Sequence, residues 1–117
     1  MNLDQVFARA KSEKRAALIG YMPAGFPSKE GSTRLIAAMI EGGVDIVEVG
    51  FPYSDPVMDG PVIQQAAEIS LRNNTSANDV FDIVKTSSVP TLVMSYWNPI
   101  ERFGVERFAR EIGRAHV

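Results

Sequence analysis

Two rhythms of apolar residues alternate along the chain. Leu3, Val6, Phe7 and Ala10 recur at helical spacing among charged residues, which predicts an amphipathic helix over residues 1–15. Residues 17–22 form a short apolar run closed by Pro23, Gly25 and Pro27, a strand followed by a loop. Ser28 suits the N-cap of the next helix. There Leu35, Ile36, Met39 and Ile40 fall at helical spacing before Gly42 and Gly43 end it. Residues 44–49 return to a β-branched strand pattern, and a long proline-containing loop, 50–60, follows. Pro61 suits the first turn of a helix, because its missing N–H would have no partner there. Val62, Ile63, Ala66, Ala67 and Ile69 supply that helix's apolar side, and Asn73 and Asn74 break it. Thr75 or Ser76 starts another helix, with Val80, Phe81 and Val84 facing inward. Residues 90–94 read as a third strand, 95–99 as a polar-aromatic loop, and 104–110 as the start of a further helix.

A helix followed by three βα units implies a parallel sheet with crossover helices, an α/β fold. Two architectures use this alternation: the closed (β/α)8 barrel and the open doubly wound sheet. No Gly-x-Gly-x-x-Gly follows the first strand, so the dinucleotide-binding form of the open sheet has no support. Neither a sequence repeat nor a linker divides the chain.

Composition narrows the chemistry. The chain has 117 residues, 45% hydrophobic, with a net charge of -2, values of an ordinary globular domain. It has no cysteine, which excludes disulfides, Cys-bound zinc and thiol catalysis. Its single histidine is His116, so a His-based triad or a multi-His metal site is not available, and no metal is expected. Arg102, Arg107, Arg110 and Arg114 alternate with Glu101, Glu106 and Glu111, a solvated helix face rather than a nucleic-acid footprint. No apolar run approaches the roughly 20 residues of a membrane span, and residues 1–15 lack the apolar centre of a signal peptide. A cytoplasmic location is the expectation.

Side chains alternate faces along a strand, so Val44, Ile46 and Glu48 should share one, with Glu48 at its C-terminal end. Ligands of parallel α/β folds bind at that end, and an acid held there among apolar neighbours suits general acid-base work. An ordinary ion pair at a strand end is the alternative. Asp55 and Asp59 lie in the 50–60 loop, where Ser-Asp-Pro and Asp-Gly-Pro are also plain turn compositions. In a proline-stiffened loop beside a ligand site, such a carboxylate could accept a hydrogen bond from a substrate N–H. Tyr21, Met94 and Tyr96 end the first and third strands. They are either rim packing or the walls of an aromatic pocket at the same mouth. Trp97 and Asn98 suit a turn.

The string EVGFPYSDPVMDGPVIQ at 48–64 is very similar to the signature of tryptophan synthase alpha chains. The segments YMPAGFP at 21–27 and MSYWNP at 94–99, with Phe103 and Gly104 after the second, resemble the family's first and third strands with their loops. The resemblance runs from Leu18 to about Arg110. One departure is Phe26, where many members carry Asp. The family is a (β/α)8 TIM-barrel lyase. It cleaves indole-3-glycerol phosphate to indole and glyceraldehyde 3-phosphate in tryptophan biosynthesis, without metal or organic cofactor. The resemblance implies that Glu48 is the catalytic acid-base. It implies that Asp59 binds the indole N–H and steadies positive charge on the ring. Tyr21, Met94 and Tyr96 fall on the substrate pocket. Pro52, Ser54, Asp55 and Pro56 fall on the segment that meets the beta subunit in an alpha2-beta2 assembly. Pyridoxal phosphate belongs to that partner.

A (β/α)8 barrel needs roughly 250 residues, so the expectation is a partial barrel, its first three βα units preceded by an N-terminal helix. Residues 111–117, EIGRAHV, resemble a translated sequencing adapter. The expectation is a non-native tail behind residues 1–110, the N-terminal part of one barrel domain. Such a chain is expected to be inactive alone. Two other readings stay open: a non-catalytic α/β domain that binds a partner, and another phosphate-sugar barrel aldolase or isomerase. The last often needs a Schiff-base lysine on a strand, whereas Lys11, Lys14, Lys29 and Lys85 all fall on predicted helices or loops.

Overall fold

The computed structural model describes residues 1–115. Helix α1, Leu3–Ser12, opens with a reciprocal capping box between Asn2 and Gln5. It buries Val6 and Ala10 but leaves Phe7 half exposed. Strand β1, Ile19–Pro23, leads to α2, Lys29–Glu41, capped by Ser28 as its sequence indicates. Strand β2 is Ile46–Gly50. After the long loop, Pro61 starts α3, Pro61–Arg72, and Ser76 caps α4, Ala77–Lys85. Strand β3 is Thr91–Met94, followed by α5, Trp97–Phe103, and α6, Val105–Ala115.

The strands form one parallel sheet in the order β1-β2-β3. Val47 and Val49 of β2 face the helices and join Ile36, Val80, Ile83 and Val84 in the core. Burying each such side chain is worth about 1.5–3 kcal/mol. Phe81 of α4 meets Phe103 and Phe108 edge to face, each at 5.4 Å between ring centres, which seats α5 and α6 on the same layer. All crossover helices thus cover one face, and the opposite face carries Ile19, Leu92 and Met94, each more than a third exposed. A sheet with one helix-covered face and an opposite face open except at buried Ile46 is what the first part of a closed barrel looks like, since the open face becomes the barrel interior.

Three expectations need correction. Val44 precedes β2, and its methyl groups stand 3.2 and 3.3 Å from where a Cβ on Gly20 would be, on the helix side. Only Ile46 and Glu48 therefore share the inner face. Residues 95–99 are not all loop, because α5 begins at Trp97. Pro99 is tolerated in its first turn, and the helix is too short to show a period. In α3, Val62 is 77% exposed and Ser70 is buried, its hydroxyl donating to the Ala66 carbonyl at 3.2 Å. Of the segment expected as a tail, 111–115 continues α6, and His116 and Val117 lie outside the described residues.

Candidate active site at the C-terminal end of the sheet

Register decides which side chains meet. Tyr21 pairs with Glu48 across β1 and β2, and Glu48 pairs with Leu92 across β2 and β3. Two residues further on, Gly50 pairs with Met94. The inner face therefore holds Tyr21, Glu48 and Leu92 at one level, and Gly50 and Met94 at the next level towards the mouth. Gly50 is required there. A Cβ at this position would stand 2.7 Å from Cζ of Tyr21 and closer still to its hydroxyl, so the Tyr21 ring leans across bare backbone.

Above this level lies a pocket of about 230 Å³ lined by Tyr21, Phe51, Met58, Asp59, Met94, Ser95 and Tyr96. Its walls are mostly apolar and aromatic, with few polar groups, the usual make-up of a small-molecule site. Tyr96 is held in two ways. Its ring lies 5.3 Å from that of Tyr53, and its hydroxyl accepts a hydrogen bond from the Met58 amide at 2.9 Å. Asp59 is fixed through its backbone: its N–H donates to the Pro56 carbonyl at 3.0 Å, and its carbonyl accepts from Gln64 Nε2 at 2.7 Å. Gln64 sits on α3, so the helix that Pro61 starts also anchors the acid before it.

The Tyr21 phenol reports on its surroundings. Burial, then the charge of Asp59, the neighbouring Tyr96 and the charge of Glu48 push it up to about 12. It is a neutral O–H donor at physiological pH. Both carboxylates act on this one phenol, so both stand at the same end of the sheet. Glu48 is half-buried, one level below the pocket and not part of its lining.

Pro52 is buried, Pro56 half-buried, and Ser54 and Asp55 are exposed. Phe51, Met58 and Ser95 line the pocket without having been singled out from sequence. The glycine ending a β-branched strand was the available signal, since an internal strand glycine marks a close approach. A larger concavity, about 560 Å³, lies between residues 1–4 and the N-terminal end of β3, where Asp4 is the one ionisable side chain. No cluster of three or more His, Cys, Asp or Glu side chains suited to a metal occurs among the described residues. No helix among them is long and apolar enough to cross a membrane.

Comparison with known proteins agrees with this fold. The family model of the tryptophan synthase alpha chain matches residues 7–117. The alpha chain of Thermobifida fusca is 53% identical over 116 residues, which cover 97% of this chain and 43% of that one. The Nocardia farcinica alpha chain is 55% identical over 116 residues, again 97% of this chain and 44% of its own length. Among solved structures, tryptophan synthase from M. tuberculosis in its aminoacrylate-bound form superposes with a TM-score of 0.95 at 44% identity, covering 97% of this chain and 48% of that one. A second, from Legionella pneumophila, gives 0.91 at 33% identity, covering 96% of this chain and 45% of that one. The chain thus spans less than half the length of these relatives, and its sheet and helices are the first part of their TIM barrel. With its family model, sequence identity and fold all matching, the chain belongs to the tryptophan synthase alpha chain family.

Proposed function

We propose that this chain carries the acid-base half of a carbon–carbon lyase site, acting in a cytoplasmic alpha chain that cleaves indole-3-glycerol phosphate. The placing of Glu48 beside Tyr21 on the inner face of the sheet, and of Asp59 with Tyr21 in the lining of an aromatic pocket, is the observation that carries this reading. In a retro-aldol cleavage, indole C3 gains a proton and its bond to the glycerol carbon breaks. The hydroxyl on that carbon loses its proton and becomes the aldehyde of glyceraldehyde 3-phosphate. Glu48, on the strand, serves these proton transfers. Asp59, at the pocket wall, accepts the indole N–H and steadies positive charge on the ring as C3 becomes tetrahedral. Tyr21, Met94 and Tyr96 pack the ring, and their aromatic and thioether surfaces exclude water.

The chemistry needs no metal or organic cofactor. Pyridoxal phosphate is assigned in this reading to the beta subunit. Exposed Ser54 and Asp55, with Pro52 and Pro56 stiffening the loop between them and the pocket, are the surface offered to that beta partner.

The test is a chimera in which residues 7–110 replace the matching part of the full-length Thermobifida fusca alpha chain. It should release indole from indole-3-glycerol phosphate. Glu48→Gln should cost about 10²–10⁴-fold in kcat, the usual share of a general acid-base. Asp59→Asn should cost about 10²–10³-fold. Full activity in either variant sinks the assignment of that residue.

A further inference from the structure

We propose that Gln64 is a positioning residue, whose side-chain amide sets where the Asp59 carboxylate stands in the pocket wall. This rests on the assignment of Asp59 above and adds the group that holds it. Gln64 is on the first turns of α3, three residues after Pro61. Side chains of a helix point back towards its N-terminus, so a long amide at this position reaches the residues just before the helix. Its Nε2 donates to the Asp59 carbonyl at 2.7 Å and, more weakly, to the Pro56 carbonyl at 3.4 Å. The Pro56 carbonyl also accepts the Asp59 N–H at 3.0 Å, so one amide grips both ends of the 56–59 turn.

Apolar burial does not hold this turn. Val57 is 71% exposed and Met58 85%, so polar contacts fix it. Among the described residues, two side chains from neighbouring elements reach residues 57–59 by hydrogen bonds: Tyr96 at the Met58 amide and Gln64 at the Asp59 carbonyl. The Tyr96 bond stops one residue short of the acid. The Gln64 bond acts on Asp59 itself, and a fixed backbone restricts the rotamers open to that residue's side chain. Gln64 is exposed and lies outside the pocket lining, whereas Asp59 lies within it. Gln64 therefore touches no bound ring and acts through the acid. Its loss keeps the carboxylate in the loop but frees it to leave the line of the indole N–H, and a misplacement of about 1 Å can cost roughly a hundredfold in rate.

Two variants of the full-length chimera separate positioning from stability. Gln64→Met keeps length and helix propensity and has no donor. Gln64→Glu keeps the shape, only accepts when ionised, and puts a negative charge near the start of α3, which the helix dipole favours. Both should melt close to the parent, while kcat for indole release falls at least about tenfold. In an Asp59→Asn background the same substitutions should change kcat by less than about twofold, since the carboxylate they place is gone. Exchange of the Asp59 amide with solvent, followed by NMR, should be about tenfold faster in both. Unchanged kcat in both variants overturns the proposal, and so does an equal fold-loss with and without the Asp59 carboxylate. The exchange measurement does not depend on turnover. A chimera that releases no indole defeats the lyase reading, and an unchanged Asp59 amide separately overturns the role of Gln64.

Discussion

The Tyr96 hydroxyl accepts the Met58 amide at 2.9 Å and so ties the loop that carries Asp59 to the end of β3. One side chain both walls the pocket and braces the acid opposite. Tyr96→Phe in the chimera removes a partly exposed hydrogen bond worth about 1 kcal/mol. The expected result is faster exchange of the Met58 amide and a roughly fivefold loss in kcat/KM. Unchanged exchange at Met58 would show that the loop is held by other means.

Asp45 should govern acid stability. Its carboxylate accepts Arg15 Nη1 at 2.7 Å and Nη2 at 3.0 Å, the Leu18 amide at 2.8 Å and Arg9 Nη2 at 3.3 Å. The Arg15 hydrogen bonds, followed by that from Leu18, hold it well below the usual carboxylate range. A depressed folded value contributes stability above the unfolded value, near pH 4, and loses it as pH falls further towards the folded one. Thermal melts of the chimera should therefore show Asp45→Asn well below the parent at pH 7. The gap should close below about pH 4. Equal melting temperatures at pH 7 would refute this.

Gly50→Ala should damage the site more than the fold. The added methyl would overlap the Tyr21 hydroxyl, and the nearest obstacle is the far end of a side chain that can swing away. Overpacking of this kind costs about 1–3 kcal/mol. The chimera should stay folded, with kcat/KM down at least about tenfold because Tyr21 leaves its place beside Glu48. Wild-type kinetics in Gly50→Ala would mean that the placement of Tyr21 is unimportant.

The chain alone should associate and lack lyase activity. Strands β1 and β3 each have one unpaired edge among the described residues, and Ile19, Leu92 and Met94 stand open on the inner face. Open edges beside exposed apolar surface recruit further copies. Light scattering should rise with protein concentration, and Leu92→Lys should reduce it. A chain that stays monomeric throughout, or that releases indole, contradicts the prediction.

Much of the fold was legible because it rests on local rules. Ser28 and Ser76 cap helices, Pro61 opens one, and alternating β-branched runs become the strands. These features are set by backbone hydrogen bonds and spacing within a few residues. Helix α5 was not legible, because seven residues show no period and it is seated by Phe103 against Phe81 and Phe108, partners on other helices. Val44 departs from the face of Ile46 and Glu48 because it precedes β2, so strand alternation does not reach it, and local pattern locates a strand's first residue only loosely.

The sequence by itself determined the order of elements, the family signature at 48–64, and two acids on a strand and the loop after it. Which residues meet was decided only by tertiary structure. Pairing of β1 with β2 and β3 sets Tyr21 beside Glu48 and Met94 beside Gly50, and the Met58–Tyr96 hydrogen bond closes the loop over them. The physical reason is that side-chain direction repeats locally along a strand. Proximity across strands depends on register, which is set jointly by every residue packed beneath the sheet.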